Sequence, residues 1–277
     1  MSFDPYLPYG PLVETTMRVV TWNVWGRYGR WADRQDALEA VLSEACPDVV
    51  CLVESWSTTE STQPGHVAQR LGMHDTLFVG DRTQDDWTSG IGIASRWPLV
   101  RHERRLLRGE TGEGIGEALF VAVEGPRGLV QLFVVMLDYP LDGSALRQSQ
   151  VRQLCAFVDE VTHRRHVIVV CGDFNAGPDS DEIRMLTGRS ATAVPGLVFY
   201  DAWEVAGAGG GGITWSNQNP LAAVGRYPDR RFDYVLSAWP QAGAAGHPVH
   251  CELLGVRPTD DAIQISDHYG VLADLRY

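Results

Sequence analysis

The stretch Val167–Pro178, with the sequence VIVVCGDFNAGP, joins an apolar run to a polar exit that contains glycine and proline. The β-branched residues of that run predict a buried strand that stops at a loop. Asp173 and Asn175 stand at the end of this strand. Because residues i and i+2 of an extended segment point the same way, their carboxylate and carboxamide could converge on one small target. On this stretch alone, a functional site and a loop braced by Asp and Asn are equally good interpretations.

Polar side chains also stand at the ends of three other predicted strands, at Asn23, at Glu54 and at the pair Asp267–His268. Asn23 could brace the turn that follows it, because the amide of Asn competes for backbone hydrogen bonds. Glu54 follows a fully apolar run, so its charge belongs either at a solvent-facing rim or on a cation. Such strand ends can lie along one edge of a sandwich of mixed sheets and form a cleft.

Three of these residues are acids, namely Glu54, Asp173 and Asp267, and no cysteine accompanies them. Carboxylates favour a hard cation that prefers oxygen ligands. The sequence therefore predicts Mg²⁺, with Mn²⁺ as the alternative, rather than structural zinc.

Hydrophobic periodicity predicts the regular elements. Predicted helices cover Arg34–Ala45, Gln63–Leu71, Ser144–Thr162 and Asp179–Leu186. Further predicted strands cover Met17–Val24, Val49–Val53, Thr76–Val79, Gly90–Ser95, Leu99–Leu107, Glu117–Val123, Gly128–Leu137, Phe199–Trp203, Phe232–Leu236, Val249–Val256 and Gly270–Arg276. The segments Asp81–Ser89 and Gly207–Gly212 are predicted as a polar connection and a mobile glycine loop.

Composition narrows the classes of protein that the chain can represent. Its 277 residues are 44% hydrophobic and 21% charged, as in ordinary globular proteins. A net charge of −12 repels polyanions at long range, which disfavours strong nonspecific binding of DNA. The five cysteines form no CxxC pair. We also expect neither a membrane helix nor a signal peptide, so the predicted location is the cytoplasm.

Five segments together resemble the endonuclease/exonuclease/phosphatase superfamily of metal-dependent phosphoesterases. The segments occur in the family's order and are Thr21–Asn23, Cys51–Glu54, Gly172–Asn175, Arg231–Tyr234 and Ser266–His268. GDFN combined with a late SDH is a specific pattern, although either motif alone would be weak. The resemblance implies an α/β (α+β) fold, a four-layered sandwich in which two mixed β-sheets pack face to face with helices outside. It also implies cleavage of a P–O bond by activated water.

The resemblance implies three residues around a catalytic Mg²⁺ (or Mn²⁺) ion. Glu54 would ligate the metal, and Asn23 would lie beside it in the metal or phosphate shell. Asp267 would join the metal shell or hold the geometry of the site.

Three further residues would act on the phosphate ester. Asp173 would orient or deprotonate the attacking water, and Asn175 would fix the phosphate. His268, as an imidazolium, would stabilise negative charge on the phosphoryl oxygens or transfer a proton. Asp233 is expected to be mainly structural or to support these residues.

One position departs from the family pattern. Family members commonly have His or Tyr where this chain has Met136, and a thioether neither carries charge nor donates a proton. Asp138 or Tyr139 could substitute for the missing group, and Arg27 is a further candidate for contact with the substrate. A phosphate-binding or scaffolding protein with weakened catalysis is therefore the alternative to an enzyme.

The domain prediction is an extended lead-in over residues 1–16 and a single domain of this type over residues 17–277. The predicted partner is a phosphate ester, either a small molecule or a nucleic acid, with the small or soluble ester favoured over duplex DNA. No membrane and no protein partner are predicted.

Overall fold

The computed structural model describes residues 4–277. Within them, twelve strands form two sheets. The strands are β1 (Thr16–Asn23), β2 (Val49–Ser57), β3 (Asp75–Thr83), β4 (Thr88–Ser95), β5 (Leu99–Leu107), β6 (Gly116–Gly125), β7 (Gly128–Met136), β8 (Val167–Asp173), β9 (Phe199–Asp201), β10 (Asp233–Ala238), β11 (Pro248–Leu254) and β12 (Gly270–Arg276).

Both sheets have six strands and both are mixed. The first sheet has the order β11-β12-β1-β2-β4-β3, and its parallel pair is β1 with β2. The second sheet has the order β5-β6-β7-β8-β10-β9, and its parallel pair is β7 with β8. Each parallel pair is joined by a helical crossover, as parallel strands require. The remaining ladders are antiparallel.

Four of the five α-helices among the described residues cover the outer faces of the sheets, whereas the short helix Ala202–Ala206 packs Ala202 into the layer between them. They are α1 (Trp31–Ala45), α2 (Gln63–Leu71), α3 (Ser144–Val161), α4 (Asp181–Leu186) and α5 (Ala202–Ala206). Helices α1 and α2 pack on the first sheet, α3 and α4 pack on the second, and an apolar layer fills the space between the sheets. This arrangement confirms the predicted four-layered α/β sandwich. No helix among residues 4–277 combines the length and the apolar character needed to cross a bilayer.

Strand β8 explains how the sequence encodes these layers. Val169 and Cys171 face the layer between the sheets, whereas Ile168 and Val170 face the helices. Both faces are buried, so the strand is apolar at every position from Val167 to Cys171 instead of alternating with polar residues. Continuing the alternation, Asp173 falls on the inner face, where the apolar layer ends.

Most predicted elements are confirmed, but three segments differ. Strand β3 extends to Thr83, into the predicted polar connection Asp81–Ser89. The predicted extended piece Phe199–Trp203 becomes a helix after Asp201, because the carboxylate of Asp201 accepts a hydrogen bond from the backbone N–H of Trp203 and caps α5. Of the predicted lead-in, residues 1–3 lie outside the described part. Residues 4–10 form turns closed by backbone hydrogen bonds.

Gly172 is the position of β8 that tolerates a side chain least. It has φ +131°, and a Cβ atom there would lie 2.0 Å from the carbonyl oxygen of Val135 on β7. We expect Gly172→Ala to lower the free energy of unfolding by at least about 2 kcal/mol, measured by urea denaturation. Gly128 has a comparable φ of +120° but open space around it, so Gly128→Ala is the control for backbone strain alone. Equal losses of unfolding free energy in the two variants would show that the contact between the added Cβ and Val135 does not destabilise the protein.

Candidate active site

A row of side chains crosses one end of the second sheet. Asp173 of β8 is flanked by Met136 of β7 and by Asp233 of β10. Glu117 of β6 is the next position beyond Met136. Paired residues on neighbouring strands point to the same face and lie about 4.8 Å apart. The apolar layer between the sheets therefore ends in a row of mostly ionisable groups.

Beyond this row the two sheets enclose a cleft of about 320 Å³. Six of the predicted site residues line it, namely Glu54, Tyr139, Asp173, Asn175, Asp267 and His268. Asn23 lies directly behind them and is buried. The structure therefore brings together side chains that are far apart in the sequence.

Glu54 reaches the cleft through a β-bulge. Leu52 faces the helices and Val53 the inner layer, so regular alternation would turn Glu54 outward. The pairing of β2 with β4 shifts register between Leu52 and Ser55, and Glu54 has φ +53°. A bulge of this kind re-aims a side chain. The sequence predicted that the strand ends at Glu54, but β2 continues to Ser57.

Asn23 joins two carboxylates of the site. Its Nδ2 donates hydrogen bonds to Glu54 Oε1 and to Asp173 Oδ2, each at 3.0 Å. Its Oδ1 accepts a hydrogen bond from the backbone N–H of Trp25 at 3.1 Å. The carboxamide thus fixes the spacing between one acid of the first sheet and one acid of the second.

His268 lies between two acids. Its Nδ1 is 2.7 Å from Asp233 Oδ2, which is a hydrogen bond, and its Nε2 is 3.9 Å from Asp173 Oδ2. Burial lowers the pKa of His268, but the charges of Asp233 and Asp173 outweigh this effect and raise the pKa well above 6.5. The imidazolium form is therefore favoured at neutral pH, which places a positive charge in the floor of the cleft.

The backbone around His268 is held by buried side chains. Asn219 Nδ2 donates to the carbonyl oxygens of Ser266 and Asp267 at 2.8 and 3.1 Å. Trp22 Nε1 donates to the carbonyl oxygen of His268 at 2.9 Å. The segment before β12 has no regular ladder, so these bonds satisfy its buried carbonyls and set the direction of the imidazole.

Asp173 holds its proton more tightly than an ordinary carboxyl. Burial, with the charge of Asp233 as the second cause, raises its pKa to about 7. The charge of His268 and hydrogen bonds from Asn23 and the backbone N–H of Asn175 act in the opposite direction. A group with a pKa near neutrality can accept a proton from water and release it again.

Asp267 is affected in a similar way. Burial raises its pKa to about 6, His268 opposes the rise, and the nearby charge of Glu54 adds to it. The repulsion between Glu54 and Asp267 is a cost that a bound cation would remove.

Asn175 directs its backbone and side chain to different partners. Its N–H donates to Asp173 Oδ1 at 2.9 Å, and its Nδ2 donates to the carbonyl oxygen of Leu137 at 2.9 Å. The residue has φ +49°, a conformation that Asn adopts more readily than most residues. The side chain is fixed at the cleft in a single orientation.

Aromatic residues form the walls above these polar groups. They are Trp25, Tyr28, Tyr139, Trp215, Tyr227 and Phe232. The rings of Trp215 and His268 meet edge to face, with centroids 5.0 Å apart. Tyr139 is 61% exposed at the rim, where its ring could contact a substrate as predicted. The cleft thus combines a charged floor with walls that suit an apolar or planar group.

Two predicted substrate contacts lie away from the cleft lining. Arg27 stacks on Trp31, with 4.0 Å from its Cζ to the ring centroid, and pairs with Asp86 at 3.0 Å in a separate surface pocket. Asp138 is buried, and its carboxylate accepts hydrogen bonds from the backbone N–H groups of Ile115 and Gly116. Each side chain is held by a neighbouring protein segment and does not line the cleft, so a contact of Arg27 or Asp138 with the substrate stays a prediction.

The sequence interpretation did not single out Arg82. Asp233 is 0% exposed and hydrogen-bonds to His268, which agrees with the supporting role expected for it. Arg82 lines the cleft from β3, in the segment interpreted as a polar connection. In the sequence, the uncharged Met136 was the one signal that another residue could supply a cation. This signal did not specify which residue that would be.

Two groups of residues could hold a metal ion. The ligand atoms of Asp173, Asp233 and His268 lie within 4.8 Å of one another. However, an imidazolium has no lone pair for a cation, and both ring nitrogens of His268 already face carboxylates. Glu54 and Asp267 instead offer carboxylate oxygens to the cleft, the donors that Mg²⁺ and Mn²⁺ prefer. The donor set on this side fits such an ion better.

Comparison with known proteins agrees with this architecture. Residues 20–268 match the family model described as Endonuclease/Exonuclease/phosphatase family. A curated relative, the inositol phosphosphingolipids phospholipase C of Schizosaccharomyces pombe, is 24% identical over 208 residues. The match covers 68% of this chain and 46% of that relative, so the chain spans less than half of the relative's length.

Solved structures share the fold at low sequence identity. The D. rerio TDP2 complexed with single strand DNA product has a TM-score of 0.75 and 21% identity, with coverage of 95% of this chain and 100% of that chain. Truncated TDP2 from Caenorhabditis elegans has a TM-score of 0.73 and 16% identity, with 96% and 100% covered. The endonuclease/exonuclease/phosphatase from Beutenbergia cavernae has a TM-score of 0.69 and 24% identity, with 94% and 71% covered.

Proposed function

The chain belongs to the endonuclease/exonuclease/phosphatase family, and on this premise we propose that it is a divalent-metal-dependent phosphoesterase. It hydrolyses a phosphodiester or phosphomonoester by attack of an activated water molecule. The observation that carries the proposal is the contact of His268 with both Asp173 and Asp233 at the floor of a cleft that also contains Glu54 and Asp267.

In this proposal, the residues of the floor have distinct roles. Asp173 orients the attacking water and accepts its proton, in keeping with a pKa of about 7. His268, kept protonated by Asp233, stabilises the negative charge that develops on the phosphoryl oxygens. Asn175 positions the phosphate, and Asn23 keeps Asp173 and Glu54 at a fixed separation. Phosphoryl transfer needs little beyond such alignment and charge neutralisation.

Glu54 and Asp267 would hold the metal ion, which we propose to be Mg²⁺ or Mn²⁺. Such an ion polarises a phosphoryl oxygen and neutralises charge when it is bound. Asn23 orients Glu54 toward this site through its hydrogen bond.

We propose a small or soluble ester with an apolar or planar group as the substrate, rather than long duplex DNA. The aromatic walls suit such a group, and the net charge of −12 opposes the approach of a polyanion. The similar proteins include an inositol phosphosphingolipids phospholipase C and a TDP2 complexed with single strand DNA product. The five cysteines are free thiols, four of them buried, in keeping with a reducing compartment such as the cytoplasm.

The direct test is hydrolysis by the purified protein with Mg²⁺ or Mn²⁺. The panel contains DNA, RNA, nucleotides, sugar phosphates and phospholipid head groups. We expect turnover of at least one small ester and loss of turnover after chelation. Failure to hydrolyse any member of the panel would contradict the enzymatic function, and efficient cleavage of plasmid DNA at physiological salt would overturn the substrate preference.

Met136 favours a second candidate function, a phosphate-binding or scaffolding protein on the same fold. Its thioether stands directly beside Asp173 in the row of strand ends and contributes no charge. Titration of the metal-loaded protein with inorganic phosphate separates the two functions. Binding without hydrolysis of any ester in the panel would favour the scaffold.

Glu54 provides a test of the metal site that does not depend on turnover. We expect Glu54→Gln to weaken Mg²⁺ and Mn²⁺ binding by about 10- to 100-fold and to remove the rise in Tm that these ions cause. Ion binding is measured by calorimetry and Tm by circular dichroism. Glu60→Gln is the matched control, because Glu60 is exposed on the loop that follows β2 and lies outside the cleft lining. Wild-type ion binding in Glu54→Gln would remove Glu54 from the metal site.

A further inference from the structure

We propose that Arg82 is a second phosphate-binding residue of the cleft and contacts the phosphoryl group on the side opposite His268. The inference rests on the proposed function and adds a residue to it. Arg82 lies on β3, the edge strand of the first sheet, where the pairing with β4 shifts register between Gly80 and Arg82. Its side chain is 31% exposed and lines the cleft.

Contacts with the second sheet fix the position of Arg82. Its Nη2 donates to Glu117 Oε1 at 2.5 Å and lies 3.8 Å from Met136 Sδ. Arg82 therefore bridges the open end of the sandwich from one sheet to the other. Asp173 has Met136 as its neighbour on one adjacent strand and Asp233 as its neighbour on the other. Asp233 in turn holds His268. A phosphate at Asp173 would have a cation on each flank.

The charges of the cleft favour a second cationic side chain in addition to the proposed metal ion. Among the described residues that line it, Arg82 and His268 are the cationic side chains, against the carboxylates of Glu54, Asp173 and Asp267. A phosphate carries further negative charge into this site. The proposed metal ion offsets charge at Glu54 and Asp267, and the imidazolium of His268 is already shared by two carboxylates.

Arg82 is also available for a ligand. The buried carboxylate of Glu117, 2% exposed, is paired by Arg104 as well, with 2.8 Å between Arg104 Nε and Glu117 Oε2. Within residues 4–277, the side-chain hydrogen bonds of Arg82 all come from Nη2, so Nε and Nη1 have no protein acceptor. A guanidinium offers its donors in a planar fork that matches two oxygens of a phosphate.

The chemistry of arginine limits the task of Arg82. The guanidinium remains charged at all relevant pH values and does not transfer a proton. Arg82 therefore stabilises charge on the phosphoryl or leaving oxygen but cannot protonate the leaving group. It replaces the charge that Met136 lacks, without replacing general acid catalysis.

Binding of inorganic phosphate to the full, metal-loaded chain tests the contact directly. We expect Arg82→Met to weaken phosphate affinity by about 10- to 100-fold, measured by calorimetry, and Arg82→Lys to weaken it less. Arg104→Met is the matched control, because Arg104 pairs with the same Glu117 but is not part of the cleft lining. We expect a change of less than about fivefold in that control. Equal phosphate affinity in wild type and Arg82→Met, or no phosphate binding in wild type, overturns the proposal.

Turnover of an ester from the panel gives the second readout. We expect Met136→His to restore part of the loss in Arg82→Met and to raise kcat/KM by a smaller factor in the wild type, where Arg82 already supplies a cation to the same phosphate. Equal effects of Met136→His in both backgrounds contradict a shared role. If the wild type hydrolyses no ester, the proposed function fails, while the phosphate titration still decides whether Arg82 binds phosphate.

Discussion

Replacement of Asp173 by Asn is expected to lower kcat/KM by about 10²- to 10⁴-fold, the usual contribution of a general base. The amide has the same shape but cannot accept a proton from water. Asp173 is buried beside Asp233, so the substitution also removes a repulsive pair of like charges. The fold should therefore survive the change, and the loss should be a loss of chemistry.

The measurement is kcat/KM on the best substrate of the panel, together with thermal unfolding of the metal-free protein. Asp179→Asn is the matched control, since Asp179 is an exposed acid six residues further along and is not part of the cleft lining. We expect wild-type rates in the control and a cooperative unfolding transition in both variants. Near-normal turnover in Asp173→Asn would contradict the assignment of Asp173 as the base.

Replacement of His268 by Ala should damage both catalysis and stability. We expect a fall in kcat/KM of about 10²- to 10³-fold, because a preorganised charge is lost from the transition state. We also expect a loss of about 3–5 kcal/mol in the free energy of unfolding, because Asp233 is left buried without its partner. The other oxygen of Asp233, Oδ1, has no hydrogen-bond partner within residues 4–277, which makes the remaining charge more costly.

A double variant separates these two effects. In His268→Ala with Asp233→Asn, the buried charge is neutralised, so much of the lost stability should return while the rate stays low. Urea denaturation gives the stability and the panel substrate gives the rate. Recovery of rate and stability together would mean that His268 contributes only to the fold.

The main elements could be predicted from local sequence because burial of one face produces a periodic pattern of apolar residues and burial of both faces produces a continuous apolar run. Strand β8 is apolar from Val167 to Cys171 because both of its faces are covered, and α2 has the predicted bounds Gln63–Leu71. The motifs around Asp173 and His268 indicated the family, and the family in turn implied the fold. The prediction of one domain over residues 17–277 stays a prediction.

The site could be predicted only in part, because local sequence does not record which side chains are already engaged. Arg27 and Asp138 had suitable chemistry near suitable motifs, yet the first stacks on Trp31 and the second binds backbone N–H groups. Asp233, by contrast, is placed in the site by its hydrogen bond to His268. Its position one strand from Asp173 comes from the antiparallel pairing of β8 with β10, segments about sixty residues apart.

The sequence by itself determined the α/β class, the main strands and helices, and the identity of the acids and the histidine that meet in the cleft. Only the tertiary structure decided that a bulge turns Glu54 inward, that Asp233 holds His268, and that Arg82 reaches across the sandwich to Glu117 beside Met136. The physical reason is the range of the interactions. Periodicity and turn chemistry act between neighbours in the chain, whereas strand register and charge pairing join residues that only the folded sheets bring within a few ångströms.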